Sequence, residues 1–210
     1  MRKKGSANGL LDNLVSFWDM APGAIAADSH GSNDLTMVGT VTSTETSIGM
    51  GGLFDGNSYL TANIIPPAGD FVFSIWFFTD DVSPYGYKNS LLFGVRADVQ
   101  ITSEGVIGTG IAGMGQTTVA TKGMPVHLCF GRNGDTLYTY LDSDLVTSSQ
   151  GNFLYSSDIQ IGRGLPEFPI EFFWNNWIDD AALWAGRGMT QEMATLLYNS
   201  GAGVPYSEFD

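Results

Sequence analysis

The sequence predicts an all-β protein, a two-sheet antiparallel β-sandwich closed by one short C-terminal helix, and three observations predict it. Apolar residues recur at period two or in short runs bounded by Gly, Asn, Asp and Ser. Glycine fills 27 of 210 positions while only 15% of residues are charged, a balance suited to short strands joined by many turns. One segment alone has helical spacing. A chain that is 43% hydrophobic and 12% aromatic can fill one sandwich core, and its length is short for two ordinary domains.

The elements follow in order. LVSFWDM (Leu14 to Met20) reads as a first strand and DLTMVGTV (Asp34 to Val41) as a second. GGLFDGNSYLTA carries Phe54 and Tyr59 either side of an Asp55-Gly56-Asn57 turn. FVFSIWFFT (Phe71 to Thr79) is apolar on both faces, which predicts a central strand covered from two sides. LLFGVR, VQITS and the glycine-rich GVIGTGIAGMGQ come next, the last a weak edge strand with turns. It has no Lys-Ser/Thr after its glycines, so it does not cradle phosphate. MPVHLCFGR and TLYTYLDS form a hairpin about Asn133, Gly134 and Asp135, with positive φ expected at both central residues. On TLYTYLDS, Leu137 and Leu141 share one face, Tyr138 and Tyr140 the other. SDIQIGRG and NNWIDDAALWA supply two more strands. The helix opens with Thr190 as N-cap and Glu192 in its first turn, runs Met193, Leu196 and Leu197 along one face, and is expected to end at Gly201 in the left-handed conformation.

Charge bounds the partners. The formal net charge is −13, and three of the nine Lys and Arg residues stand in the opening MRKK. An acidic body repels phosphate backbones, so nucleic acid is not an expected partner. Residues 1–13 are expected to form a flexible basic arm, with Arg2, Lys3 and Lys4 the partner-binding residues, and 14–210 the folded domain. MRKK is not followed by the apolar run of a secretion signal, and no segment has the length of a membrane span, so no membrane is expected. Cys129 lies alone in the apolar run VHLCF and reads as a small buried side chain. Without a disulfide framework, folding in a reducing cytosol is expected.

Five pieces in order carry a resemblance: LVSFWDM, DSHGSNDLTM, GLFDGNSYLTA, PVHLCFGRNGDTLYTYLDSDLV and the closing IDDAALWAGRGMTQEMATLLYNSGAG. From about Leu14 to Tyr206 they resemble the laminin-G-like, concanavalin A-like lectin and glucanase jelly rolls, of the kind found in phage virion proteins. Ser143 stands where that family often has glycine, and LPEFPIEFFWNN has no obvious counterpart. Several branches of the family hold a structural calcium between first and last strands. The resemblance places Asp19 and Asp179 at such a site, with backbone carbonyls completing 6–8 oxygens; the alternative is that the inward acid caps backbone N–H groups or pairs with an arginine.

The candidate sites weigh against catalysis. The six glutamates never fall at the paired spacing of the family's retaining glucanases. His127 sits in an apolar strand, as a core imidazole would. Asp179 and Asp180 are neighbours on a strand, so they are expected to face opposite ways and not to cooperate on one surface. The loop DSHGSND (Asp28 to Asp34) lacks calcium-hand spacing, and Asx-turns are its expected role. EFFWNNW concentrates Phe172, Phe173, Trp174 and Trp177 beside two amides, a set that suits core packing, a protein interface or a glycan platform. Tyr138 and Tyr140 offer a second aromatic face.

The expectation is a non-catalytic virion structural protein, a capsid decoration or tail-fibre module of a tailed phage, with virion proteins as partners, a surface glycan as a further one, and assembly in the bacterial cytoplasm. The alternative is a carbohydrate-binding lectin-like module. A glycoside hydrolase comes third, and paired acids in an open groove would revive it. No symmetry of a homo-oligomer is fixed by the sequence.

Overall fold

The structure is a computed structural model that describes residues 9–64, 69–78, 89–93, 99–101, 106–109, 118–119, 123–150, 159–163 and 173–209. Among them lie β1 (Leu14–Trp18), β2 (Thr36–Val38), β3 (Thr42–Glu45), β4 (Met50–Asp55), β5 (Tyr59–Ala62), β6 (Phe71–Phe78), β7 (Asn89–Phe93), β8 (Val99–Ile101), β9 (Val106–Thr109) and β10 (Thr118–Val119). Then come β11 (Pro125–Asn133), β12 (Thr136–Leu141), β13 (Asp144–Gln150), β14 (Ile159–Ile161), β15 (Asn175–Ala185) and the helix α1 (Gln191–Tyr198). The larger sheet runs β13-β12-β11-β6-β15-β4-β3 with β1 also on β15, and the smaller runs β10-β9-β8-β7-β14-β5-β2. The expected two-sheet antiparallel sandwich is what forms.

The alternation along β6 explains its position. Phe71, Phe73, Ile75 and Phe77 face the smaller sheet and form the inter-sheet core with Leu60, Ile159 and Ile161. Val72 faces outwards into a second core with Cys129, Tyr140, Trp184, Met193 and Leu197, which α1 covers. The strand is therefore buried on both faces. Gly131 of β11 is required for that closeness: a Cβ there would stand 2.1 Å from the Phe71 carbonyl oxygen.

Three boundaries differ from expectation. Residues 9–13 belong to the packed body, not to an arm: Leu10 is fully buried, its carbonyl accepts the Trp184 Nε1–H at 2.6 Å, and Arg187 donates to the Gly9 carbonyl. Arg2, Lys3 and Lys4 lie outside the described residues. The β11–β12 loop is Gly134-Asp135, and only Gly134 has positive φ (61°), the pattern of a glycine-first II′ turn. The turn with two positive φ values is instead Asp142-Ser143 (49° and 72°), joining β12 to β13. Thr190 caps α1 by accepting the Met193 N–H, but the helix ends at Asn199 (φ 48°), two residues before Gly201.

β15 positions the site. Its residues 175–178 pair with β4 and 181–184 with β1, so these two strands follow one another along the same side. Opposite, Asp179 pairs with Trp76 and Ala182 with Ser74 of β6, leaving one extra residue in β15. This is a β-bulge, and Asp180 takes positive φ (44°) within it.

Candidate functional site: an acidic cleft beside the bulge

The bulge overturns the expectation that Asp179 and Asp180 face opposite ways. Both line one cleft of about 380 Å³, joined by Asp19 from the end of β1, Met50 from β4, and Phe17 and Tyr206. Its rim residues Gly49, Pro205 and Ser207 are exposed. The neighbouring strand leaves room because Gly51 has no side chain: a Cβ there would lie 2.7 Å from the Ile178 carbonyl oxygen and 3.1 Å from the Asp179 Cβ.

The three carboxyls are held differently. Asp19 accepts the Ala21 N–H (3.2 Å) and the Ser29 hydroxyl (3.1 Å). Asp179 is only 1% exposed; its Oδ2 accepts the Thr46 hydroxyl at 2.7 Å and its Oδ1 the Asp180 N–H at 2.9 Å. It therefore caps backbone and hydroxyl donors, as one sequence alternative had it. The Asp180 carboxyl makes no hydrogen bond among the described residues. It keeps part of its surface open to the cleft.

Burial pushes the Asp179 carboxyl up to about 7, against its two hydrogen bonds and with the Asp19 charge adding to the rise. Asp180 is also raised well above the ordinary carboxylate range, first by burial and then by Asp179 and Asp19. Near neutral pH this cluster holds protons. A protonated carboxyl both donates and accepts, which is what a pair of sugar hydroxyls requires.

Tyr206 is fixed beside them. Its ring stacks on Phe17 at 5.1 Å, meets Phe209 edge-on at 5.6 Å, and its hydroxyl lies 2.8 Å from His30 Nδ1. His30 is placed by the loop whose Asx role was expected. The Asp28 carboxylate accepts the N–H groups of Phe17, His30, Gly31 and Asn33. Burial would raise Asp28, but those four bonds outweigh it and hold it below its ordinary value.

The aromatic candidates divide. Trp174 is fully buried, edge-on to Phe77 in the inter-sheet core. Tyr140 is buried under α1, while Tyr138 is partly exposed and packs against the same cluster. Trp177 is 8% exposed and stacks on Phe78 at 5.7 Å on the outer face of the larger sheet. Phe173 is partly exposed beside Tyr59, with the Arg163 guanidinium over both rings. Phe172 lies outside the described residues. Sequence reading missed Asp180 and Tyr206 as cleft residues.

A pair that looks catalytic is sealed. Ser74 Oγ lies 2.8 Å from His127 Nε2, but the two are 4% and 1% exposed, and His127 Nδ1 has no partner among the described residues. Burial drives His127 down to about 3, so it is neutral, and no acid orients it.

The structure brings the two acids of the implied calcium site, Asp19 and Asp179, to the same cleft. Among the described residues no group of three or more His, Cys, Asp or Glu is arranged to hold a metal ion. The two Asp179 oxygens already accept protein donors.

No protein-family model and no curated protein matches the sequence. Solved structures do. Domain 4 of AbnA, a GH43 extracellular arabinanase from Geobacillus stearothermophilus in complex with arabinotriose, is similar at TM-score 0.69 and 14% identity over 87% of this chain and 97% of that one. Trypanosoma rangeli sialidase in complex with sialic acid is similar at TM-score 0.70 and 15% identity over 90% of this chain but 33% of that one. The botulinum neurotoxin serotype D binding domain is similar at TM-score 0.65 and 12% identity over 91% of this chain and 53% of that one. The chain thus spans about a third of the sialidase and half of the toxin domain. At these identities the likeness shows the β-sandwich fold.

Proposed function

We propose that this chain is a non-catalytic carbohydrate-binding module whose ligand seats in the cleft of Asp19, Asp180 and Tyr206. The observation that carries it is the Asp180 carboxyl, open to a 380 Å³ cleft and without a protein hydrogen bond among the described residues, beside a rigid tyrosine ring. Carboxyls hydrogen-bond sugar hydroxyls, ring faces cover sugar C–H groups, and the volume is that of a small-ligand site. The fold neighbours support the reading, since one is printed in complex with arabinotriose and another with sialic acid.

The cleft chooses between those ligands. A body of net charge −13 opposes an anionic sugar, so a neutral oligosaccharide is the ligand class. Binding is favoured over hydrolysis for a physical reason. Glycosidases need two carboxyls open to the scissile bond, whereas here Asp179 is 1% exposed and both its oxygens accept protein donors. The virion reading rests on the resemblance and on a basic start whose Arg2, Lys3 and Lys4 lie outside the described residues, and no observation of the structure adds to it.

Calorimetric titration of the full chain with arabinotriose and other neutral oligosaccharides, alongside sialic acid, tests the proposal. Saturable binding of a neutral sugar, abolished by Asp180→Ala and by Tyr206→Ala, is expected, with no release of reducing ends. Tighter binding of sialic acid, or retention of binding in both variants, would overturn it.

A further inference from the structure

The edge of the smaller sheet carries a second recess, remote in chemistry from the acidic cleft. Among the described residues β2 ends that sheet and pairs with β5 alone, so its outer edge presents backbone N–H and C=O groups with no ladder partner there. Its three residues are all exposed, and none is a lysine or proline that would guard the edge. Met37 lies opposite Leu60, a core residue of β5, and so points to the interior side, yet it is 37% exposed. The sandwich is open there.

The opening is a recess of about 450 Å³ walled by Ala24, Ile25, Ala26, Leu35 and Met37. Leu35 belongs to the inter-sheet core, and Ile25 and Ala26 pack against it, so the floor is the core itself. One charged residue lines it, Asp34, which is exposed and accepts the Asp28 N–H at 2.8 Å.

We infer that this edge binds an extended basic peptide segment of another chain, its backbone adding a strand beside β2. Two apolar side chains at alternate positions enter the recess, and a flanking lysine or arginine faces Asp34. The three features select together. Free ladder groups recognise an extended backbone, a recess beside them takes alternate side chains, and Asp34 on a body of net charge −13 favours a cation. A lipid chain would leave the ladder groups of β2 unpaired, and a sugar has no alternating apolar side chains to fill the recess.

The test uses the full chain and a labelled peptide, acetyl-Lys-Leu-Thr-Leu-Lys-amide, read by fluorescence anisotropy. Saturable binding is expected, weakened about tenfold by Met37→Arg, which replaces an apolar wall by a repelling charge. Asp34→Asn keeps the acceptor for Asp28 and should weaken binding less, by an amount that vanishes at high salt. Thermal melts confirm that both variants fold; if Met37→Arg does not, Asp34→Asn with its salt dependence decides alone. The same peptide N-methylated at alternate amides should not bind. Equal binding of the methylated peptide, or wild-type binding by Asp34→Asn at low salt, overturns the inference. So does an apolar dye that saturates the recess and is not displaced by the peptide.

Discussion

Two clusters in this molecule hold groups that catalysis often uses, and burial acts on both with opposite consequences for access. Ser74 and His127 form a hydrogen-bonded pair packed beside the stacked rings of Trp76 and Tyr198, whose centroids lie 4.9 and 6.2 Å from the imidazole. Desolvation lowers His127 to about 3 and leaves it neutral inside the fold. Asp179 and Asp180 are raised by the same desolvation, but the bulge turns them to a cleft with an exposed rim. A shifted pKa alone therefore does not mark a site. The opening beside the group does.

The largest effect should come from the sealed cluster. His127→Ala removes a buried ring and leaves the Ser74 hydroxyl without its partner, so a loss of about 3 kcal/mol in denaturant unfolding is expected. Sugar affinity of the folded variant should not change. A change there would join the two clusters into one functional unit and break the contrast drawn between them.

The titration of stability separates them by sign. Asp179 has a raised folded pKa, so its contribution is complete below about 3.8 and is lost as pH rises through about 7. His127 has a lowered folded pKa, so its neutral burial costs stability as pH falls below about 6.5. Between pH 4 and 8 the wild type should lose stability through Asp179, and Asp179→Asn should lose less. Asparagine keeps an acceptor for the Asp180 N–H and removes the titrating proton. An unchanged slope in Asp179→Asn would mean that the carboxyl is ionised when folded.

The open cluster should give a smaller free-energy effect, in binding instead of folding. Asp180→Asn is expected to weaken neutral-sugar binding about tenfold, roughly 1.4 kcal/mol, with a melting temperature equal to or above that of wild type. The reason is that Asp180 has no protein hydrogen bond to lose among the described residues, while its burial beside two other acids is unfavourable. A fall in melting temperature with affinity intact would make Asp180 a structural residue like His127.

Much of the fold was legible because local rules and global packing agree. FVFSIWFF is apolar on both faces and is the strand covered on both. Thr190 has the hydroxyl an N-cap needs, and it caps. The site was not legible by the same rules, since it depends on two strands meeting end to end along β15, a contact between residues far apart in sequence. A signal was present all the same. Strict alternation from Ile178 puts residues 180 and 182 in the inter-sheet core, but the apolar phase of WIDDAALWA places Ala181 and Leu183 there. The slip of one residue falls on Asp179-Asp180, and a phase slip in a strand is what a bulge looks like in sequence. Trp174 and Tyr140 misled for the converse reason: aromatic clusters fill cores as readily as they line sites, and composition does not say which side of the sheet faces water.

The smallest expected effect is that of calcium, and it decides what replaces a metal at the meeting of first and last strands. With Asp179 supplied by Thr46 and Asp180 and the cluster holding protons, the acids are stabilised without a cation. Adding calcium or a chelator at pH 6 should leave the melting temperature where it was. Raising the pH to 8 sharpens the test, because the carboxyls are then driven towards ionisation and any latent affinity for a divalent cation must increase. A calcium-dependent rise in melting temperature at pH 8 that disappears in Asp179→Asn would show that a metal takes the place of the protons. The acidic cleft would then be a metal centre first and a sugar site only through it.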